Sequence, residues 1–285
     1  MRLIVTLALT LLSSSSGSLV AHEQAELKQS LLFLASFDES VNADQAAGDG
    51  ELKTAENLQR QKVETGLSTD AVAWNREQGK YGGCLSFKEK TDAVVFFNGG
   101  KNLPDSKPGM EGTISFWLRL TPNDDLPSGY VDPLQITDKK WNDSSIFVDF
   151  TDKNPRQFRL GVFSDYAFWN PDDQKWEEIT ESERPLVTVK RPPFTKDAWT
   201  HVAITFQDLN QQGQPGSATL YLDGKSQGTL KRPMQITWAP EKTVIILGIY
   251  YVGDLDEFAV FDRCLPASLI QDIAESEVSL KKRIE

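Results

Sequence analysis

Hydrophobic and polar residues alternate with a period of two along much of the chain. In the segment 112–120, Ile114, Phe116, Leu118 and Leu120 fall on one face of an extended backbone, and the residues between them fall on the other. This alternation is typical of a β-strand that is buried on one side. Similar short segments predict further strands at 31–37, 145–150, 156–163, 186–190, 199–206, 217–223, 243–250 and 254–261.

Polar turn signals separate these strands. The clearest is Asp223-Gly224, because this dipeptide accepts the positive φ values of a type I′ turn and therefore predicts a β-hairpin. Many short strands joined by polar turns predict an all-β fold of two packed antiparallel sheets. A single domain of this type can include all of residues 22–285, so a second domain is not needed.

Two segments break the alternation. Residues 44–79 form a long polar excursion after the first strand, and the stretch 54–64 within it is compatible with a helical turn or two. Near the other end of the sequence, Leu269, Ile270 and Ile273 recur at helical spacing. We therefore expect a terminal helix within residues 266–283.

The first 21 residues have the layout of a secretory signal. A short positive start is followed by a ten-residue, mainly apolar stretch at 3–12 and by a small-residue run that ends at Ala21. Ten residues are fewer than the roughly 20 apolar residues that a membrane-spanning helix needs. The sequence therefore predicts cleavage near Ala21 and export of the protein, with no transmembrane segment.

Composition excludes several function classes. The chain has 285 residues, with 30 Lys and Arg against 41 Asp and Glu, which gives a net charge of −11. This surplus argues against broad nucleic-acid binding, which depends on clustered basic residues. With 2 His and 2 Cys, the chain also has too few ligands for the common zinc and iron–sulfur sites.

Five segments resemble the successive strands of one known domain family. Their order along the chain is 81–87, 112–118, 199–205, 220–224 and 255–265, and they include Tyr-Gly-Gly-Cys-Leu-Ser-Phe, Gly-Thr-Ile-Ser-Phe-Trp-Leu and Leu-Asp-Glu-Phe. They resemble laminin-G-like jelly-roll domains of the concanavalin A-like lectin/glucanase superfamily over residues 31–273. The resemblance implies a concanavalin A-like sandwich with a short closing helix. It does not imply one activity, because such domains bind glycans, proteins or other surface ligands.

The resemblance also implies that the first and last strands are neighbours and that some relatives hold a structural calcium ion. Asp38 in the first loop and Asp254 and Asp256 in the last strand are the candidate calcium ligands. Calcium accepts six to eight oxygen ligands, which acidic loops can supply. The alternative is that these carboxylates are solvated or bind turn amides.

No glycosidase motif is present. The glycosidases of this superfamily carry a Glu-x-Asp-x-Glu run, whereas the nearest segment here, 254–257, reads Asp-Leu-Asp-Glu. Its last two carboxylates would lie on opposite faces of a strand, and hydrolysis needs two that face one cavity. We therefore assign no catalytic residue, and an enzyme with a scattered carboxylate pair is the less favoured reading.

Aromatic residues in two polar loops are the best candidates for ligand contact. These candidates are Trp141, Tyr166, Trp169 and Trp176. Indole rings stack on the apolar faces of sugars, and loops on rigid sandwiches often carry binding sites. The alternative is a small core that pins a long loop. Trp117 and Trp199 lie within strand segments and are expected in the core.

Cys84 and Cys264 are a candidate disulfide in an exported protein, with two buried free thiols as the alternative. Taken together, the sequence favours an exported noncatalytic module that binds an extracellular carbohydrate or cell-surface polymer. The second reading is a structural or adhesion protein that binds another protein.

Overall fold

The computed structural model describes residues 24–285. Helical residues 24–30 form α1. The other helices are α2 (Pro122–Asp125), α3 (Tyr166–Trp169), α4 (Ala267–Glu275) and α5 (Leu280–Ile284). The strands are β1 (Leu31–Ala35), β2 (Gln45–Ala46), β3 (Lys53–Ala55), β4 (Val63–Thr65), β5 (Val72–Asn75), β6 (Cys84–Phe87), β7 (Val94–Asn98), β8 (Met110–Arg119), β9 (Val131–Lys140), β10 (Asp143–Phe150), β11 (Phe158–Phe163), β12 (Leu186–Val189), β13 (Thr200–Leu209), β14 (Gly216–Leu222), β15 (Lys225–Arg232), β16 (Val244–Ile249) and β17 (Gly253–Phe261).

The strands form two antiparallel sheets. The back sheet has nine strands in the order β15-β14-β13-β8-β17-β1-β2, and β6 joins it by pairing with both β17 and β5. The front sheet has eight strands in the order β12-β11-β10-β9-β16-β7-β3-β4. This arrangement confirms the predicted all-β jelly-roll sandwich, including the neighbouring first and last long strands.

The main hydrophobic core lies between the two sheets. Phe258 of β17 packs edge-on against Phe33 at a ring distance of 6.0 Å and lies 6.2 Å from Phe116. All three rings are fully buried. Since alternate residues of each strand supply this core, the remaining residues project from the outer faces of the sheets.

Helices cover the outer face of the back sheet. A second apolar cluster joins Leu27 of α1, Ile270 of α4 and Leu280 of α5 to Phe261 and Ala203 on the sheet. Burying these side chains holds the helices against the strands. The outer face of the front sheet carries different side chains, and these form the candidate site described below.

The structure confirms some local predictions and corrects others. The hairpin at Asp223-Gly224 is present, with φ values of 47° and 73° joining β14 to β15. The expected helix at 54–64 is wrong, because its ends belong to β3 and β4, which pair as a hairpin. The expected terminal helix at 266–283 is divided into α4 and α5 by a break at Ser276.

The predicted signal at residues 1–21 lies outside the described residues. Among residues 24–285, none of the helices is long and apolar enough to cross a bilayer.

Candidate functional site

Six aromatic side chains gather at one end of the outer face of the front sheet. They come from the β9–β10 turn, from strands β10 and β11, and from the loop that follows β11. We call them the aromatic cluster: Trp141, Phe147, Phe163, Tyr166, Trp169 and Trp176.

Two phenylalanines form the floor of this cluster. Phe147 of β10 and Phe163 of β11 stack with their ring centroids 5.6 Å apart and their planes inclined by 19°. Both rings are buried, whereas Ile146 and Val162 beside them point into the core between the sheets. Gly161 makes the close packing possible, because a Cβ atom there would lie 2.3 Å from Cζ of Phe147.

Two tryptophans lie above this floor. Trp141, at the β9–β10 turn, is 45% exposed and its ring lies 5.3 Å from Phe163. Trp176 meets Trp141 edge-on at 5.7 Å. The guanidinium of Arg184 lies 4.4 Å from the Trp176 ring and donates a hydrogen bond of 3.0 Å to the Trp176 carbonyl oxygen. Both indoles are therefore positioned by packing while retaining solvent-facing surface.

Of the other two aromatic residues, Trp169 fastens the loop to the β9–β10 turn and Tyr166 holds the loop to itself. The Trp169 indole donates a hydrogen bond of 2.9 Å to the carbonyl oxygen of Asn142. The Tyr166 hydroxyl donates to Asp173 at 2.5 Å and accepts from the Asn170 side chain at 3.1 Å. These contacts agree with the alternative reading of the loop as a small core, at least for Trp169 and Tyr166.

A partly buried anchor fixes the start of the same loop. Asp165 accepts hydrogen bonds from Ser144, from Thr237 at 2.7 Å, from Gln235 at 2.9 Å and from Lys139 at 3.2 Å. Burial alone would raise the pKa of Asp165, but these hydrogen bonds outweigh it and hold the pKa below its usual value. The carboxylate stays ionised at neutral pH, so the anchor is permanent under those conditions.

The structure thus brings together all four aromatic residues that the sequence nominated. Sequence reasoning missed Phe147 and Phe163, although the alternation in 145–150 already places Phe147 on the face opposite Ile146. Of the two tryptophans expected in the core, Trp117 is buried, whereas Trp199 is half-buried against the guanidinium of Arg119.

The candidate calcium ligands lie elsewhere, around the start of β17 in the back sheet. Asp38 and Asp256 both hold the turn at residues 79–83. Asp38 accepts a hydrogen bond of 3.1 Å from the Gly83 amide, and Asp256 accepts one of 2.6 Å from the Lys80 amide. The first loop and the last strand do converge, as the resemblance implied, but on a backbone turn.

Side-chain cations already pair with the neighbouring carboxylates. Arg119 donates two hydrogen bonds to one oxygen of Asp254, at 2.9 and 2.8 Å. Lys281 forms ion pairs with Asp44 at 2.8 Å and with Glu39 at 3.2 Å.

No metal-ligand group forms around these carboxylates. Within residues 24–285, no cluster of three or more His, Cys, Asp or Glu side chains is placed to hold a metal ion.

Two consecutive carboxyl groups of β17 are sealed inside the protein. Glu257 is 3% exposed, and one of its oxygens accepts a hydrogen bond of 2.8 Å from the Leu280 amide of α5. Burial raises the pKa of Glu257 to about 8, so it carries a proton at neutral pH. Burial also raises the pKa of Asp256 well above its usual value. Neither group faces an open cavity of the kind that glycoside hydrolysis needs.

The candidate disulfide is not formed. Both Cys84 and Cys264 are free thiols in the structure. Cys84 lies on β6 beside the 253–255 end of β17, whereas the Cys264 amide bonds to Glu111 near the start of β8. The register along β8 separates these points by at least four residues, or roughly 13 Å, which exceeds the limit of about 7 Å between bridged Cα atoms.

Comparisons with known proteins agree with this architecture. The sequence model of Laminin_G_3, described as concanavalin A-like lectin/glucanases superfamily, matches residues 90–271. No curated protein sequence matches the chain.

Several solved structures share the fold. Domain 4 of AbnA, a GH43 extracellular arabinanase from Geobacillus stearothermophilus, was solved with arabinotriose. It has a TM-score of 0.52 at 15% identity, covering 86% of this chain and 98% of that one. The binding domain of Paraclostridial Mosquitocidal Protein 1 has a TM-score of 0.50 at 18% identity, covering 87% of this chain and 52% of that one.

A third similar structure is the ligand binding domain of botulinum neurotoxin serotype D in complex with N-acetylneuraminic acid. Its TM-score is 0.53 at 12% identity, covering 89% of this chain and 52% of that one. This chain therefore spans about half the length of both toxin domains. At these identities the likeness concerns the fold.

The buried Glu257 predicts a pH dependence of stability. Its pKa is about 8 in the folded protein against an ordinary value of 4.5, so the folded state binds more protons between these values. Stability should therefore fall as the pH rises through this window. Glu257→Gln, which keeps an acceptor for the Leu280 amide without an ionisable proton, should flatten the dependence. Urea denaturation at a series of pH values measures it.

The matched control is Glu277→Gln, on the exposed surface of the same terminal segment. It should leave the dependence of the free energy of unfolding on pH as in the wild type. Asp256 also carries a raised pKa, so some slope should remain in Glu257→Gln. An unchanged slope in Glu257→Gln would contradict the assignment.

Calcium binding stays a prediction from the sequence. If the acidic residues Asp38, Asp254 and Asp256 hold an ion, excess chelator should lower the melting temperature by several degrees, because a bound ion stabilises the folded state. Calcium should then restore it. A melting temperature that chelator does not change would remove calcium from consideration.

Proposed function

Since the chain belongs to the Laminin_G_3 family of the concanavalin A-like lectin/glucanases superfamily, we propose that it is a noncatalytic module that binds extracellular carbohydrate. The observation that carries the proposal is the aromatic cluster, in which Trp141 and Trp176 keep exposed ring surface above a buried phenylalanine floor. Aromatic rings of this kind stack on the apolar faces of sugar rings.

Preorganisation supports the proposal. Hydrogen bonds of Asp165 and Arg184 hold the loop that carries Trp176 in place. Ligand binding therefore does not carry the entropic cost of ordering these rings. Two similar solved structures hold bound saccharides, the arabinanase domain with arabinotriose and the toxin domain with N-acetylneuraminic acid, and they add support by analogy.

A binding role fits the carboxylates better than hydrolysis does. Asp254 is paired with Arg119, and Asp256 and Glu257 bond to backbone amides inside the protein. They are therefore used for folding, and the superfamily's catalytic run has no counterpart at these positions.

A protein ligand is the second candidate. Trp141 of the aromatic cluster and Phe168, which precedes Trp169 in α3, are 45% and 42% exposed. Exposed large aromatic side chains also anchor protein interfaces. A glycan array without binding, together with saturable binding of one purified extracellular protein that Trp141→Ala abolishes, would favour this candidate.

Export forms part of the proposal. The signal at residues 1–21 predicts that protein recovered outside the cytoplasm begins at His22. N-terminal sequencing of the expressed full-length chain measures this. Protein that keeps Met1 and stays in the cytoplasm would contradict export.

The aromatic cluster can be tested directly. Trp141→Ala and Trp176→Ala should each weaken binding of the best array glycan about tenfold or more, or roughly 1.4 kcal/mol, because each removes a stacking surface. Isothermal titration calorimetry measures the loss.

Trp199→Ala is the matched control, because this half-buried tryptophan lies against Arg119 on the back sheet. It should bind like the wild type. All variants should keep the wild-type far-ultraviolet circular dichroism spectrum. Wild-type affinity in both cluster variants would contradict a role for the cluster.

A further inference from the structure

The outer face of the front sheet continues beyond the aromatic cluster along β10 and β11. Because side chains alternate along a strand, Phe147 and Asp149 share the outer face of β10, and Gly161 and Arg159 share that of β11. From Ser145 beside the cluster to Asp149, four residues span roughly 13 Å at about 3.3 Å per residue. The face is therefore longer than one sugar ring.

Charged and aromatic groups occupy the far end of this face. Asp149 and Arg159 sit directly opposite each other on neighbouring strands and form an ion pair, with Nε to Oδ1 at 2.8 Å. The Tyr130 ring lies 4.9 Å from the Arg159 guanidinium and is 49% exposed. Asp132 of β9 lies beside Asp149, because Val131 and Leu134 on either side of it pair with Phe150 and Val148 of β10.

Burial raises the pKa of Asp132 well above its usual value, and the neighbouring Asp149 adds to the effect. Burial also raises the pKa of Asp149, against the opposing effect of Arg159. Either group can hydrogen-bond to a neutral hydroxyl group, as a donor when protonated and as an acceptor when ionised.

Two polar side chains lie between the ends of the face. Gln135 of β9 lies directly opposite Phe147 on the outer face, and its side chain is 6% exposed. The Ser145 hydroxyl is buried without a partner among residues 24–285. Buried polar groups are normally hydrogen-bonded, so the unpaired Ser145 hydroxyl indicates that the protein's own groups do not complete the bonding on this face.

We propose that this face is an extended site for a neutral oligosaccharide, which runs from the aromatic cluster across Phe147 to a polar row. The polar row comprises Tyr130, Asp132, Gln135, Asp149 and Arg159. This inference rests on the proposed function. One ring stacks on the tryptophans, and the hydroxyl groups of the following rings bond to the Gln135 amide and to Asp132, while Tyr130 stacks at the far end.

The charges on and around the face select a neutral ligand. Arg159, the cation of the polar row, is already paired with Asp149. The loop at 170–183, which carries Trp176, has six Asp and Glu residues against one Lys. An anionic sugar would therefore meet repulsion near the tryptophans and no unpaired cation in the polar row.

The experiment is calorimetry with neutral cello- and arabino-oligosaccharides of two to five units, with oligogalacturonate and sialyllactose as anionic probes. Wild-type affinity should rise with the length of the neutral ligand and stay lower for the anionic ones. Gln135→Ala and Tyr130→Ala should lose about fivefold or more with the longest ligand and less than twofold with the disaccharide. Trp141→Ala should weaken binding at every length.

Gln207→Ala, an exposed glutamine on the back sheet, is the matched control and should bind like the wild type. Gln135 is buried, so its replacement could destabilise the fold, whereas the half-exposed Tyr130 can be replaced without loss of core packing. Melting temperatures show whether both variants are folded. Wild-type affinity for the longest ligand in both variants would overturn the extended site and leave the proposed function standing. Tighter binding of the anionic probes would overturn the neutral class, and no saccharide binding at all would overturn the proposed function as well.

Discussion

Strand β17 is the constraint on which the back sheet depends, because three strands pair with it. It bonds to β8 along one edge, and its other edge is shared by β6 at 253–255 and by β1 at 258–261. The sharing is possible because a bulge at Asp256–Glu257 separates the two halves, with Glu257 at a φ of 51°. A non-glycine residue with such a positive φ costs about 1–3 kcal/mol in backbone strain. The strand pairing on either side of the bulge and the buried hydrogen bonds of Asp256 and Glu257 offset this cost.

The bulge also decides which outer face is available to a ligand. It directs Glu257 toward α5, so the terminal helices dock on the back sheet and cover it together with α1. Tyr81 reinforces this docking through a hydrogen bond of 2.6 Å to the Ser276 carbonyl oxygen. Helices thus cover the outer face of the back sheet. Among the described residues, the exposed tryptophan and tyrosine side chains, Trp141 and Tyr130, lie on the outer face of the front sheet.

Much of the fold could be predicted from local sequence, because strand alternation and the Asp223-Gly224 turn are short-range signals. The prediction for the stretch 54–64 was wrong because polar residues with scattered apolar ones fit a helix as well as a strand. The strand β3 that forms there is stabilised by pairing with β7, which the local sequence does not reveal. The disulfide prediction failed for a related reason, since spacing along the chain does not reveal which ends of which strands carry Cys84 and Cys264.

The aromatic residues of the site could be predicted from the sequence, whereas the outer face of the front sheet, on which they gather, could not. Polar loops rich in tryptophan pointed to Trp141 and Trp176, but their floor is made by pairing β10 with β11, which no local pattern encodes. Pairing with β9 also places the polar Gln135 opposite Phe147 on the outer face. A helix-covered back sheet, an acidic loop and a polar row on the free face therefore converge on one expectation, a neutral ligand that supplies hydroxyl groups.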